Sequence, residues 1–116
     1  MLNYTKIASE KCEFIEIASE DEIQNGDRLH IEIDGKPLVL FNIGGEFFAI
    51  ADLCSHDDGP LGDGELEKME IICPRHGARF DVRSGKALTL PAVVDIPAYP
   101  VRVKNSKVEI GLPPVD

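Results

Sequence analysis

The chain lacks the features that would assign it to a membrane, secreted or repeat-containing class. No apolar run in its 116 residues approaches a membrane span, and residues 1–6 lack the apolar stretch of a secretory signal. Internal repeats, low-complexity segments and evident linkers are also missing. Only three cysteines are present, two of them in the motif described below, and one spare cysteine cannot form an internal disulfide. We expect a cytoplasmic protein with one domain, residues 1–116, and no membrane partner.

Positive charge is also scarce. Lys and Arg total 12 against 21 Asp and Glu, so the formal net charge is −9. The phosphates of nucleic acid would repel such a surface, which argues against a nucleic-acid partner. The charge favours a protein partner with a basic docking patch, although the same acidity also suits a chain that is merely kept soluble.

Short strand patterns make up most of what is present. Runs of alternating apolar and polar residues recur with turn residues between them, which predicts a small all-β domain. Residues 19–22 match a capping box and predict a single helical turn that ends near Gly26. Turns at 34–35 (Asp-Gly) and 44–45 (Gly-Gly) predict a three-stranded meander. The predicted strands are residues 12–17, 29–33, 38–43, 46–51, 69–72, 79–82, 99–103 and 107–110.

Two short loops after the meander carry the residues with metal chemistry. They read Cys-x-His, a gap of sixteen residues, and then Cys-x-x-His. The four candidate ligands are Cys54, His56, Cys73 and His76. Structural zinc sites usually pair Cys with Cys and His with His. The interleaved order suits a two-iron, two-sulfide cluster in which the Cys pair holds one iron and the His pair the other. A zinc ion, which would make the chain a folded interaction module, is the alternative.

The stretch that contains these loops, at about residues 52–86, is rich in glycine and proline. Such residues let the backbone approach a bulky group closely and let amide groups point inward. The β pattern resumes only beyond Pro91. We expect a small β-sandwich or barrel into which residues 52–86 are inserted as a cluster-binding subdomain.

The two loops resemble those of Rieske proteins, and most closely those of the ferredoxin components of bacterial ring-hydroxylating dioxygenases. The resemblance rests on residues 54–61 and 73–81, on Ser-Gly at 84–85 and on similar residues at 91–92 and 99–101, and it extends over roughly residues 12–112. It implies one Rieske-type 2Fe–2S cluster. The ligands that it implies are Cys54 and Cys73 on one iron, and His56 and His76 on the other.

The loops differ from those of the respiratory branch of the family. Respiratory Rieske proteins carry a disulfide that braces the cluster, and the matching positions here are Gly59 and Arg75. Two hydroxyl groups that donate hydrogen bonds to sulfur in that branch are missing as well, because Ala78 and Phe80 occupy their positions. Donors to sulfur favour the reduced state, so we predict a reduction potential of roughly −150 mV, near the low end of the Rieske range.

The resemblance implies an electron carrier and not an enzyme. It predicts a flavin-dependent NAD(P)H reductase as donor, a terminal Rieske oxygenase as acceptor, and a monomeric carrier. The sequence has no P-loop and no dinucleotide fingerprint. With two of the three histidines in the motif, His30 alone cannot supply the ligands of an oxygenase iron. The alternative function is that of a Rieske small subunit in an assimilatory nitrite reductase.

The imidazole edges of His56 and His76 are the electron exit that the resemblance implies. A compact and partly apolar surface around them suits a weak, transient partner. The residues predicted to form it are Gly59, Pro60, Leu61 and Pro74.

Several other polar residues near the motif are open to a plainer interpretation. We expect Cys12 to be a small strand residue and not a ligand, and His30 to be an exposed strand residue. The carboxylates at 57–58 are taken as solvated. Arg75 and Arg79 either orient a partner or pair with nearby acids, and the sequence does not decide between these roles.

Overall fold

Alternating side chains build the described part of the chain, residues 12–54, 59–90 and 94–113, into antiparallel β-sheets. In the computed structural model these ranges hold ten strands and no α-helix, so the all-β prediction is confirmed. The strands are β1 (Glu13–Ser19), β2 (Arg28–Ile33), β3 (Lys36–Ile43), β4 (Glu46–Ala51), β5 (Glu65–Glu67), β6 (Glu70–Ile72), β7 (Arg79–Asp81), β8 (Ala98–Tyr99), β9 (Val101–Lys104) and β10 (Lys107–Leu112). Three sheets result, with the orders β1–β10–β9, β2–β3–β4–β8 and β5–β6–β7.

The predicted meander is formed by β2, β3 and β4. The turn residues Asp34 and Gly35 have φ values of 53° and 76°, the left-handed values that a two-residue hairpin turn requires. Gly44 and Gly45, with φ values of 65° and 90°, turn the chain between β3 and β4. Strand β4 then leads directly towards Cys54 in the first ligand loop.

Strand β3 is buried on both of its faces. Because side chains alternate along a strand, Leu38 and Leu40 belong to one core cluster while Val39 and Phe41 belong to the other. The first cluster joins the central sheet to the β1–β10–β9 sheet through Ile23, Ala49, Val108 and Ile110. The second cluster joins it to the third sheet and the ligand loops through Ile50, Cys54, Leu61, Ile71, Cys73, Ala78, Phe80, Val82, Ile96 and Ala98.

One predicted strand is divided in two. Residues 99–103 were expected to be continuous, but β8 and β9 lie on either side of Pro100. Strand β8 pairs with β4 and β9 pairs with β10, so the chain changes sheets at this proline. Proline fixes its own φ and has no N–H for a strand ladder, which is why the prediction of one strand was wrong.

Strand β5 has no counterpart among the predicted strands. It pairs with β6 from Glu65 opposite Ile72 to Glu67 opposite Glu70, and the turn between them places Lys68 at a φ of 56°. Three residues with two exposed glutamates carry too little apolar pattern to be recognised. The third sheet therefore depends on pairing with β6 and not on a local signal.

The predicted helical turn is present as a short 3₁₀ segment at Glu20–Glu22, where the Ser19 N–H donates to Glu22 Oε1 at 2.8 Å. Within the ranges given above, no helix has the length and apolar character needed to cross a bilayer.

Candidate metal centre

The two ligand loops follow strands, and each is closed by a backbone hydrogen bond of the same kind. In the first loop, which follows β4, the Cys54 N–H donates to the Gly59 carbonyl at 2.8 Å. In the second loop, which joins β6 to β7, the Cys73 N–H donates to the Ala78 carbonyl at 2.7 Å. Each bond runs from a cysteine to the residue five positions later (54 to 59 and 73 to 78). Both cysteines are therefore fixed where a loop leaves the core.

The closures bury two thiols against each other. Cys54 is 0% exposed and Cys73 is 1% exposed, and both belong to one core cluster. None of the three cysteines, all within the described ranges, is in a disulfide. Burial by itself raises the pKa of the Cys73 thiol, but the N–H groups of Arg75 and His76, the Cys54 side chain and the Arg75 charge hold that pKa below its ordinary value. A buried thiol pair with amide donors suits a soft metal or an iron–sulfur cluster.

The predicted histidine ligands are placed only in part. His76 lies in the second loop, three residues after Cys73, and is exposed. His56 and the neighbouring carboxylates at 57–58 lie outside the described residues. In the ranges that are described, no three His, Cys, Asp or Glu side chains lie close enough together to hold a metal ion. The structure thus brings the two thiols together, and the complete ligand set stays a prediction.

Asp52 holds the end of the first loop, a role that its sequence position does not reveal. Its Oδ1 accepts hydrogen bonds from the N–H groups of Leu61 at 2.9 Å and Gly62 at 2.5 Å. Its Oδ2 lies 3.4 Å from Nδ1 of His30, whose Nε2 lies 3.3 Å from Asp63 Oδ1. His30 is exposed, as predicted, but it also connects β2 to this loop. A carboxylate directly after a buried strand is the signal that could have identified Asp52.

Arg28 supports the same segment from β2. Its Nη1 donates to the carbonyl oxygens of Gly62 and Gly64, each at 2.6 Å, while its guanidinium lies 5.2 Å from the Phe41 ring centroid. Gly64 is needed where it stands, because a Cβ at this position would run into the Ile72 carbonyl oxygen. The backbone of the first loop is therefore held against β6 by a close approach that only glycine permits.

Leu61 does not belong to the docking surface that was predicted around the histidines. Its side chain is 0% exposed and packs in the same core cluster as Cys54 and Cys73. The loop turns inward after Pro60, so Leu61 adds to the core and not to the surface. Pro60 and Pro74 are exposed, as that prediction requires. Large exposed apolar side chains on the segment after β7 are Leu88, Leu90 and Val94.

Arg79 pairs with acids, one of the two roles left open by the sequence. Its Nη1 lies 3.1 Å from Glu67 Oε1 and 3.2 Å from Glu70 Oε1, so it connects all three strands of the third sheet. The carboxylates of Glu70 and Glu67 raise the pKa of the Arg79 guanidinium. Since these side chains are partly exposed, solvent screens the pairs and they add little stability.

The two positions that lack hydroxyl groups lie inside the core. Ala78 and Phe80 are both 0% exposed, and the Ala78 carbonyl already accepts the Cys73 N–H. Neither side chain can donate a hydrogen bond to sulfur. The environment of the thiol pair on this side is therefore apolar.

Comparison with known families assigns the chain. The family model of the Rieske [2Fe-2S] domain matches residues 13–100. The chain belongs to the Rieske family. The cofactor is accordingly one Rieske-type 2Fe–2S cluster, as predicted, and a structural zinc ion is set aside.

Individual relatives of this Rieske chain are similar in sequence and in fold. It is 42% identical to the ferredoxin component of the naphthalene 1,2-dioxygenase system of Pseudomonas putida, over 85% of this chain and 95% of the relative. The ferredoxin of carbazole 1,9a-dioxygenase from Nocardioides aromaticivorans IC177 matches with a TM-score of 0.80 and 32% identity, covering 87% of this chain and 98% of that one. A ferredoxin solved in complex with the carbazole 1,9a-dioxygenase oxygenase matches with a TM-score of 0.79 and 28% identity, over 84% and 92%.

Asp52→Ala should weaken retention of the cluster. The substitution leaves the Leu61 and Gly62 N–H groups without their acceptor in a part-buried loop, a loss worth about 1–3 kcal/mol. We expect a clearly lower ratio of iron to protein after purification, together with faster decay of the visible absorbance. The matched control is Asp63→Ala, which removes a 76%-exposed carboxylate that also contacts His30. Equal cluster retention in the two variants would contradict a supporting role for Asp52.

Proposed function

We propose that this Rieske chain is a ferredoxin that carries single electrons from a flavin-dependent NAD(P)H reductase to a terminal Rieske oxygenase. The observation that carries the proposal is the buried Cys54–Cys73 thiol pair in a chain that matches a dioxygenase ferredoxin over nearly its whole length. A related ferredoxin has been solved in complex with its oxygenase, which supports an oxygenase as the acceptor. The donor is a separate protein because the sequence carries no dinucleotide fingerprint.

The proposed ligands are those of the two-loop motif. Cys54 and Cys73 bind one iron and His56 and His76 bind the other. The support is the equivalent closure of both loops, which puts each cysteine at the same point of its loop. The short distance along the chain from Cys73 to His76 lets one loop offer a buried thiolate and an exposed imidazole.

The residues around the thiols suit electron transfer at the protein surface. The bound cluster takes up and releases one electron at a time. The two cysteines are withdrawn from water into a packed core, while His76 stays exposed where a partner can approach it. Exposed Pro60 and Pro74 give that surface a small apolar area, consistent with a partner that must leave after each transfer.

A carrier is favoured over the other roles considered. The curated relative reported above is the ferredoxin component of a multi-component system and not its oxygenase. The same name favours a free carrier over a small subunit of an assimilatory nitrite reductase. We further propose that residues 1–116 act as one monomeric domain in the cytoplasm, with residues 52–86 as the cluster-binding subdomain. A cytoplasmic location agrees with cysteines that form no disulfide.

Electron transfer to an oxygenase is the direct test of this function. The chemically reduced chain, mixed anaerobically with an oxidised Rieske oxygenase from a naphthalene system, should become oxidised while the oxygenase is reduced, as followed by stopped-flow absorbance. If the oxygenase presents the basic docking patch that the net charge of −9 favours, the rate should fall as the Debye length shrinks from about 30 Å at 0.01 M to about 8 Å at 0.15 M salt. No transfer, or purification in a fixed stoichiometry with a large enzyme, would favour the subunit alternative.

The ligand assignment is tested by removing one donor at a time. We expect each ligand variant to lose the visible absorbance and the acid-labile sulfide, because both irons need their protein ligands. The variants are Cys54→Ser, Cys73→Ser, His56→Ala and His76→Ala. Cys12→Ser is the matched control and should keep the full cluster. Electron paramagnetic resonance of the dithionite-reduced chain should show mixed His and Cys ligation, and a colourless protein with stoichiometric zinc would overturn the assignment.

The reduction potential is predicted to be about −150 mV, because neither Ala78 nor Phe80 can donate to sulfur. Protein-film voltammetry should confirm this value. Ala78→Ser adds a hydroxyl within the second loop and should raise the potential. Ala49→Ser, at a buried alanine of the other core cluster, is the control that should leave it unchanged. A clearly positive potential in the unmodified chain would refute the prediction.

A further inference from the structure

The Arg75 side chain crosses from the second ligand loop to the first. Its Nη1 donates to the Pro60 carbonyl oxygen at 2.6 Å, a contact between residues 15 positions apart. The guanidinium also lies against Gly59. A Cβ on Gly59 would sit 2.6 Å from Cζ, 2.7 Å from Nη2 and 2.9 Å from Nε of Arg75. The planar group therefore occupies the space that any larger residue at position 59 would need.

The position of this contact gives it a specific consequence. The bonds from Cys54 to Gly59 and from Cys73 to Ala78 each close a loop on itself, so neither ties one loop to the other. The Arg75 contact reaches from one loop to the other. It ends on Pro60, next to the residue whose carbonyl closes the first loop, and it starts two residues after Cys73. A charged donor makes a stronger hydrogen bond than a neutral one. The planar guanidinium is also rigid, so little conformational entropy is lost when it forms the bond.

We propose that Arg75 is a positioning residue: a non-covalent cross-link that holds the two ligand loops at a fixed separation, and so slows loss of the cluster, while its charge raises the reduction potential. This inference rests on the proposed ligation of the cluster by both loops. The charge would act because reduction adds a negative charge to the cluster that Cys73, two residues before Arg75, is proposed to hold. Cross-link and charge are separate contributions, and different substitutions remove them.

Three variants separate the two contributions. Arg75→Met removes both. The visible absorbance of the cluster should decay about tenfold faster, as expected for loss of a charged hydrogen bond, and the reduction potential should fall because the positive charge is gone. Arg75→Lys keeps the charge but not the fork, so the potential should be retained while the decay is intermediate. Gly59→Ala adds a Cβ that displaces the guanidinium, and because Gly59 has no left-handed φ the backbone accepts alanine. It should speed the decay with a nearly unchanged potential.

The double variant Gly59→Ala/Arg75→Met provides the sharpest test. If Gly59→Ala acts by displacing Arg75, it should add no further decay once Arg75 is gone. The matched control is Arg102→Met, which removes an arginine from β9, where it pairs with Glu109 at 2.6 Å and lies over Phe14 at 4.0 Å. That control should change neither decay nor potential. Additive effects of the two substitutions, or an unchanged potential in Arg75→Met, would overturn the inference.

Failure of this inference can be told apart from failure of the proposed function. All readouts use the isolated chain, so they do not depend on a reductase or an oxygenase. If the unmodified chain shows mixed His and Cys ligation but Arg75→Met decays at the same rate, only the cross-link is refuted. If the unmodified chain holds no cluster, the ligation on which both proposals rest is refuted as well.

Discussion

The contact between two buried thiols is the constraint on which the rest of the structure depends. Cys54 and Cys73 come from two segments that lie apart along the chain, and both side chains are buried in one core cluster. The fold achieves this by giving both loops the same closure, from the cysteine N–H to the carbonyl five residues later. Whatever fixes the separation of the two loops therefore controls the geometry of the centre.

That separation is maintained by packing of the core and by polar contacts to the loops. The central sheet is apolar on both faces, so one face closes the sandwich while the other supports the loops. Asp52 and Arg28 then bind backbone groups of the first loop, which short Gly-rich segments cannot satisfy with regular secondary structure. Arg75 is placed to add a contact from loop to loop. Asp52, Arg28 and Arg75 thus bind loop backbone groups that a strand ladder would otherwise pair.

Features that depend on neighbouring residues were predicted from the sequence, whereas features that depend on contacts between distant residues were not. The hairpin at Asp34 and Gly35 was predictable because a two-residue turn requires positive φ values, and these two adjacent residues accept them. Strand β5 was not predictable, because it depends on pairing with β6. The break at Pro100 had a local signal, a proline inside the predicted strand, but which sheet each half joins is decided by its pairing with β4 or β10. Leu61 was misplaced for the same reason: a leucine after Gly-Pro is apolar in either setting, and only the inward turn of the loop shows that it is core.

The sequence by itself determined the class of fold and the four candidate ligands, because alternation along strands and ligand spacing within loops are properties of neighbouring residues. The resemblance of the two loops to those of Rieske proteins indicated the family and the cofactor. The tertiary structure alone decided which residues hold those loops. Asp52 and Arg28 act on carbonyl and N–H groups far along the chain, and Arg75 meets Gly59 only because two loops fold together. Such contacts leave no periodic trace in a single sequence, since their partners are mostly backbone groups that every residue carries.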